Sequence, residues 1–248
     1  MTGTSAHTGA TSPRVNPPAS SSMWPIRFYS TAVGKKWVMA ITGIMLMGFV
    51  FAHMVGNLKM YLGAEHLDEY AHFLRTLLHP LMPDEVMLWM MRLGLMGALL
   101  LHLHAAITLT QMNRRARTVS YQSKRDYIAA NFASRTMRWS GVIVLCFIVF
   151  HLVDLTIGKG GATFTYGEVY ANVDASLSRP LVAGFYIVAN LLLGIHLYHG
   201  AWSIFQSLGV NNPRYNVARR RFAQAFAATV VIGNVSFPIA VLAGVVGN

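Results

Sequence analysis

The sequence predicts an all-α integral membrane protein, a bundle of five transmembrane helices. Its composition is 54% hydrophobic and only 12% charged, which leaves too little polar surface to cover a soluble globule of 248 residues. Five apolar runs are each long enough to cross roughly 30 Å of hydrocarbon, a distance that takes about 20 helical residues. Helices satisfy their own backbone groups in lipid, so each run is expected to be helical. The lipid bilayer is therefore the first partner predicted.

The chain begins with a segment that differs from the rest. Residues 1–22 are rich in Ser, Thr, Pro and Gly and contain no apolar stretch, which predicts a disordered tail and no cleavable signal peptide. Residues 23–248 are predicted to form one five-helix transmembrane domain. Its helices are expected near 36–58, 86–111, 138–158, 180–206 and 222–246.

Two connections between the predicted helices are long. The first contains EHLDEYAHFLRTLLHPL, residues 65–81, whose apolar residues recur at helical spacing. This pattern suits an interfacial helix or, equally, a plain lid over the bundle. The other, residues 158–179, is rich in glycine and mixed in character, so we expect a loop.

The distribution of charge predicts an orientation. The formal net charge of +11 would suggest nucleic acid binding in a soluble protein, but the basic residues concentrate in short connections between apolar runs. They precede the first helix and fill the second and fourth connections, whereas most acidic residues lie in the others. The positive-inside rule then places the N-terminus in the cytoplasm and the C-terminus outside. No nucleic acid partner is expected.

Histidines inside the apolar runs are the main functional signal, because an imidazole in hydrocarbon has lost its water and needs a compensating partner. At 1.5 Å per residue, His53 and His151 lie about 24 Å and about 20 Å from the cytoplasmic edge. Counted in the same way, His102 and His196 lie about 14 Å and about 15 Å from that edge. The histidines therefore form two layers, each with a member on two different helices.

This layering predicts metal ligands. Haem iron held by two histidines needs imidazoles that face each other across the macrocycle, which opposing helices of a bundle supply. We expect His53 with His151, and His102 with His196, to hold up to two b-type haems. For each of them, a packed histidine bonded to a carbonyl is the structural alternative. The alternate ligands are His199 and His104, of which His104 points to a different helix face from His102.

Four stretches of the sequence resemble a known family. They are GKKWVMAITGI from Gly34, FAHMVGNLKMYLG from Phe51, HLVDLTIG from His151 and HLYHGAWSIFQSLGVNN from His196. Together they resemble the cytochrome b membrane-anchor subunit of succinate dehydrogenase and fumarate reductase, in its single-subunit five-helix form. The likeness extends over about residues 24–246.

The resemblance implies a function and partners. The chain would be the anchor of a succinate:quinone oxidoreductase in a bacterial-type inner membrane, and would pass electrons to menaquinone or ubiquinone. A flavoprotein subunit and an iron–sulfur subunit would dock on its cytoplasmic face and carry the FAD, the other iron–sulfur clusters and the succinate site. By position, His53 and His151 resemble ligands of the distal haem, and His102 and His196 those of the proximal haem. The direction of the reaction and the number of assembled complexes stay open.

A different redox centre is the alternative to haem. A Rieske-type [2Fe–2S] cluster takes two histidines and two cysteines. Cys146, five residues before His151, is the single cysteine of the chain, so a partner would have to supply the other thiolate.

A quinone head needs hydrogen-bond donors beside an apolar slot. Donors near the cytoplasmic edge are candidates for a proximal site, with interfacial anchoring as the alternative; they are Ser30, Lys36, Trp37, Tyr198, His199 and Trp202. A distal site would use groups that exchange protons, with a solvated helix face as the alternative. These groups are Glu65, His66 and His72.

Two other function classes stay open. In a proton or solute transporter, the intramembrane histidines and Asp154 would relay protons. In a passive scaffold, replacement of His151 would leave quinone reduction intact.

Overall fold

The computed structural model describes residues 23–116, 128–210 and 212–247, and of residues 128–135 only the helical main chain. The regular structure in these ranges is helical, and five of the helices are long and apolar enough to cross a membrane. The predicted all-α bundle is confirmed, and the chain is a multi-pass membrane protein. The predicted tail, residues 1–22, lies outside the described residues.

The five long helices are α2 (Ala32–Asn57), α4 (Val86–Arg115), α5 (Ile128–Leu155), α7 (Pro180–Ser207) and α8 (Asn216–Leu242). Three short helices accompany them: α1 (Trp24–Ser30), α3 (Ala64–Arg75) and α6 (Val169–Leu177). Short 3-10 helices cover Leu58–Leu62 and Pro213–Tyr215.

Three long helices begin earlier than predicted, and α2 begins at Ala32 rather than at 36. Helix α5 begins at Ile128 rather than at 138, and α8 begins at Asn216 rather than at 222. Hydropathy marks only the part of a helix that suits hydrocarbon, whereas polar residues such as arginine also form helix well. The helices therefore continue past the apolar runs.

Helix α1 was not predicted, and a tight turn joins it to α2. Thr31 is extended, and its hydroxyl oxygen accepts a hydrogen bond from the backbone N–H of Gly34 at 3.0 Å, which caps α2. A Cβ atom at Gly34 would overlap the carbonyl oxygen of Phe28, so glycine allows the two helices to approach. Helix α1 and the start of α2 lie at the end of the bundle that the charge pattern predicts to be cytoplasmic, which we call the inner end.

Two short helices cover the opposite, outer end. Helix α3 forms at the start of the predicted interfacial segment, buries Leu67 and packs against α6, while residues 76–85 form turns and irregular chain. The loop predicted for 158–179 was wrong in part, because residues 169–177 form α6. The reason is that Val169, Val173 and Leu177 recur every four residues and pack into one core cluster, a pattern that the glycines before them obscured.

Helix α7 lies at the centre of the long helices. Helix α4 lies against α2, and α5 lies against α7, while α2 and α8 both pack against α7. Among the described residues, α4 and α5 share no substantial contact. The bundle is therefore open between α4 and α5, the two helices that carry His102 and His151.

Candidate metal centre

His53 on α2 and His151 on α5 lie side by side in the outer half of the bundle. Their ring centres are 5.9 Å apart, and the ring planes meet at 85°. Imidazole nitrogens bind transition metals at roughly 2 Å, so two imidazoles on one ion hold their ring centres about 6 Å apart. The outer pair thus has the separation that a shared metal ion requires.

The hydrogen bonds around His151 fix which ring nitrogen is free. Its Nδ1 atom lies 3.3 Å from the hydroxyl oxygen of Tyr186, and that hydroxyl donates to Asp154 Oδ2 at 3.1 Å. Because a phenol has one proton, the Tyr186 oxygen can only accept from His151. The proton of the neutral ring therefore lies on Nδ1, and Nε2 keeps the lone pair that binds a metal.

Asp154 is the centre of a buried polar network at the outer end. Its side chain is fully buried, and its carboxylate forms an ion pair of 2.8 Å with Arg179 Nη2. The hydroxyl of Ser176 also donates to it, and Arg179 Nη1 donates to the carbonyl oxygen of Gly160 at 2.7 Å. The network joins α5 and α6 to the residue that precedes α7, so it ties these elements together around the end of His151's helix.

The inner group consists of His102 on α4 and His196 on α7. His102 Nδ1 is 3.2 Å from Thr42 Oγ1 on α2. His196 Nδ1 is 3.4 Å from Ser140 Oγ on α5. Each inner ring thus meets a hydroxyl of the helix that packs against its own.

The two hydroxyls impose the same protonation on both rings. Thr42 donates its proton to the carbonyl oxygen of Val38 at 2.7 Å, and Ser140 donates to that of Met137 at 3.2 Å. Each hydroxyl oxygen can then only accept from the histidine, which places the imidazole proton on Nδ1. Both inner rings keep Nε2 free, as His151 does.

A glycine follows each of these hydroxyl residues and makes room for the ring. A Cβ atom at Gly43 would lie 3.6 Å from His102 Cε1, and one at Gly141 would lie 3.4 Å from His196 Cε1. Larger side chains at either position would push into the imidazole. These two hydroxyl–glycine pairs were missed from the sequence, although Thr42-Gly43 and Ser140-Gly141, each inside an apolar helix, were a visible signal.

The alternate histidines have other partners. His104 Nδ1 lies 2.5 Å from the hydroxyl of Tyr29 on α1. His199 Nε2 lies 3.4 Å from Thr136 Oγ1 on α5. Lys35 is buried, with its ammonium 4.2 Å from the centre of the Tyr29 ring. The structure therefore gives these two histidines contacts near the inner end that are separate from the hydroxyl–glycine pairs.

Cys146 lies apart from the paired histidines. It is exposed on α5, and five residues along a helix place it about 140° around the axis from His151. Within the described ranges, no three His, Cys, Asp or Glu side chains meet as a set that could hold a metal. The arrangement provides paired imidazoles rather than a mixed set of thiolate and imidazole ligands.

The candidate quinone residues divide into separate groups. At the inner end, Ser30, Lys36 and Trp37 are exposed on α1 and α2, while Tyr198, His199 and Trp202 lie half-buried on α7. The Tyr198 and His199 rings are 5.2 Å apart, and Arg219 lies over the Trp202 ring at 5.8 Å. Among the described residues, the two groups are joined by no hydrogen bond or ring contact.

The outer candidates all lie exposed on α3. Glu65 and His66 occupy its first turn and His72 its last. Glu65 and His72 are seven residues apart and share a helix face, whereas His66 points elsewhere. The structure therefore does not bring Glu65, His66 and His72 together at one site.

Comparison with known proteins decides the family. A family model described as succinate dehydrogenase/fumarate reductase transmembrane subunit matches residues 110–235, about half of the chain. The chain belongs to this family. In this transmembrane subunit the match includes α5 and α7, which carry His151 and His196, and confirms the family that the sequence predicted. Searches of curated proteins and of solved structures find no significant match.

Proposed function

We propose that this subunit passes electrons between a flavoprotein and iron–sulfur pair at its inner end and quinone, with its paired histidines holding b-type haem. The family supports the role, since succinate dehydrogenase and fumarate reductase are oxidoreductases. The observation that carries the proposal is the outer pair, in which two imidazoles from separate helices have their ring centres 5.9 Å apart. FAD, the remaining clusters and the succinate site are assigned to the partner subunits.

The donor set fits haem. Three of the four histidines have Nδ1 engaged by a hydroxyl oxygen, which leaves Nε2 as the ligand atom. His53 is exposed, so open space remains beside it. These histidines would hold the haem, which would supply the one-electron chemistry that quinone reduction needs.

The surrounding side chains orient the outer rings and exclude water. The Phe49 ring stacks on His53 with ring centres 5.4 Å apart, and Phe147 lies 5.7 Å from His151. Phe147 and Tyr186 are buried and meet edge to face. Aromatic packing therefore keeps the site dry, which strengthens the hydrogen bonds that fix the imidazoles.

For the quinone we propose a site at the inner end, close to the docked iron–sulfur subunit. Tyr198, His199 and Trp202 on α7 support it, because they place a hydroxyl, an imidazole and an indole within two turns of one helix. Glu65, His66 and His72 on α3 supply proton-exchanging groups for a site at the outer end. Anchoring and solvation stay the structural alternatives for both.

A transporter is less well supported. Proton relay through Asp154 needs a carboxylate that gains and loses its proton, but this carboxylate is paired with Arg179 and bonded to Ser176 and Tyr186. Such a transporter would move substrate across liposomes without partner subunits and without a redox centre.

The test is a reduced-minus-oxidised optical spectrum of the purified complex, together with its iron and acid-labile sulfide content. We expect haem bands that decrease in His151→Ala and persist in His79→Ala, an exposed histidine of the outer turns. Sulfide beyond the clusters of the partner subunits, without haem bands, would favour the iron–sulfur alternative. Quinone reduction that is unaffected in His151→Ala would favour a scaffold.

A further inference from the structure

We propose that Tyr186 and Asp154 are positioning residues that hold His151 as a metal ligand and lower the redox potential of the outer centre alone. The inference rests on the proposed function, since it assumes a metal between His53 and His151. It goes beyond that function because it assigns a second set of residues, on α5 and α7, that acts through the imidazole.

The contacts form a continuous chain from the imidazole to the protein surface. His151 Nδ1 lies 3.3 Å from the Tyr186 oxygen, Tyr186 donates to Asp154 at 3.1 Å, and Asp154 pairs with Arg179 at 2.8 Å. The Asp154 side chain is fully buried, whereas that of Arg179 is 29% exposed. The carboxylate thus lies between an intramembrane ring and a half-buried cation.

Packing prevents Tyr186 from leaving this position. The residue is 6% exposed, and its ring meets Phe147 and Phe150 edge to face at 5.1 Å and 6.1 Å. A buried tyrosine hydroxyl keeps its hydrogen-bond partners because loss of a partner leaves it unsatisfied. The ring is therefore a fixed connection between Asp154 and His151.

The inner rings have no equivalent carboxylate among their described contacts. His102 and His196 meet the neutral hydroxyls of Thr42 and Ser140, whose protons go to main-chain carbonyls. The two layers thus share the Nδ1–H arrangement but differ in charge. Removal of the carboxylate should change the outer centre and leave the inner centre as an internal control.

The direction of the effect follows from electrostatics. A hydrogen bond from Nδ1–H to an oxygen polarised by a carboxylate makes Nε2 of the imidazole a stronger electron donor to the metal. Stronger electron donation stabilises the oxidised metal. Loss of this bond should favour the reduced form. We expect the reduced-to-oxidised ratio of the outer centre, at a given potential, to rise about tenfold, equivalent to about 59 mV for one electron.

The experiment is a redox titration of the purified complex, followed by optical and low-temperature EPR spectra. Tyr186→Phe removes only the hydroxyl, and Tyr61→Phe is the matched control, since its hydroxyl donates to Ser236 at 2.7 Å near the outer end of α8. Asp154→Asn is the second variant, and its amide oxygen can still accept from Tyr186. Should Tyr186→Phe fail to assemble, Asp154→Asn alone decides the question.

We expect both network variants to raise the midpoint of the outer centre and to change its EPR signal, while the inner centre and Tyr61→Phe stay as in the wild type. Equal midpoints in the wild type and the network variants would overturn the inference and leave the proposed function standing. A wild-type complex with no haem signal would overturn both.

Discussion

Three intramembrane histidines share one chemical device, a hydroxyl oxygen whose own proton is already donated. Thr42, Ser140 and Tyr186 each accept from an imidazole Nδ1–H after donating to a carbonyl or a carboxylate. In lipid such an arrangement satisfies the ring nitrogen that faces away from the ligand position. The same device therefore selects the tautomer in both layers, on four different helices.

Thr42 offers a direct test of this device. Thr42→Val is nearly isosteric, but it removes the acceptor for His102, so we expect the affinity of the inner centre for its metal to fall about 10- to 100-fold. The haem content of the purified complex measures the effect. Thr110→Val is the matched control, since Thr110 also donates to a carbonyl of its own helix, that of Ala106. Equal haem content in the two variants would contradict the role of Thr42.

At the scale of the helices, the ion pair between Asp154 and Arg179 connects elements at the outer end of the bundle. It joins α5 to the start of α7, and Ser176 brings in α6. Gly160 lies directly against the Asp154 carboxylate, because a Cβ atom at this position would overlap it. A short helix and a glycine-rich loop thus seal one end of the bundle.

This pairing predicts a non-additive effect on stability. Arg179→Gln leaves a buried carboxylate without its cation, which typically costs about 3–5 kcal/mol. The double variant with Asp154→Asn should recover much of that loss, because no uncompensated charge remains. Thermal unfolding of the purified complex measures both. A double variant at least as unstable as the sum of the single variants would contradict the buried pair.

The outer end also contains an exposed hydrogen bond between two side chains. Tyr166 donates to Glu85 at 2.6 Å, and this hydrogen bond lowers the pKa of Glu85. A lowered folded-state pKa gives stability that is present at neutral pH and is lost as the pH falls through that pKa. We expect Tyr166→Phe to have a lower Tm than the wild type at pH 7, and the difference to shrink below about pH 4. A difference independent of pH would show that Glu85 is not involved.

For the molecule as a whole, some structural features could be predicted from the sequence and others could not. The five spans follow from hydropathy alone, because lipid imposes a minimum apolar length on each helix. Helices α1 and α6 were missed, since short helices depend on their tertiary contacts. The depth count indicated which histidines share a layer, but not the partners of each Nδ1, because contacts such as Tyr186 to His151 depend on how each helix is rotated against its neighbour.

The predicted orientation is a property of the whole chain and can be tested on intact cells. With Cys146 replaced by serine, we expect Glu65→Cys to react with a membrane-impermeant thiol reagent and Arg114→Cys to react only after the cells are opened. Both original residues are exposed, so accessibility within the protein is comparable. The reverse labelling pattern would place the N-terminus outside and exchange the inner and outer ends.

At the scale of the whole molecule, we propose that imidazoles from four helices hold haem in two layers. The most direct measurement is the amount of haem per chain in the purified complex, determined for the wild type, His151→Ala and His196→Ala. We predict two haems in the wild type and one in each variant, with different haems lost. A wild type without haem, or variants that keep the full amount, would contradict the account.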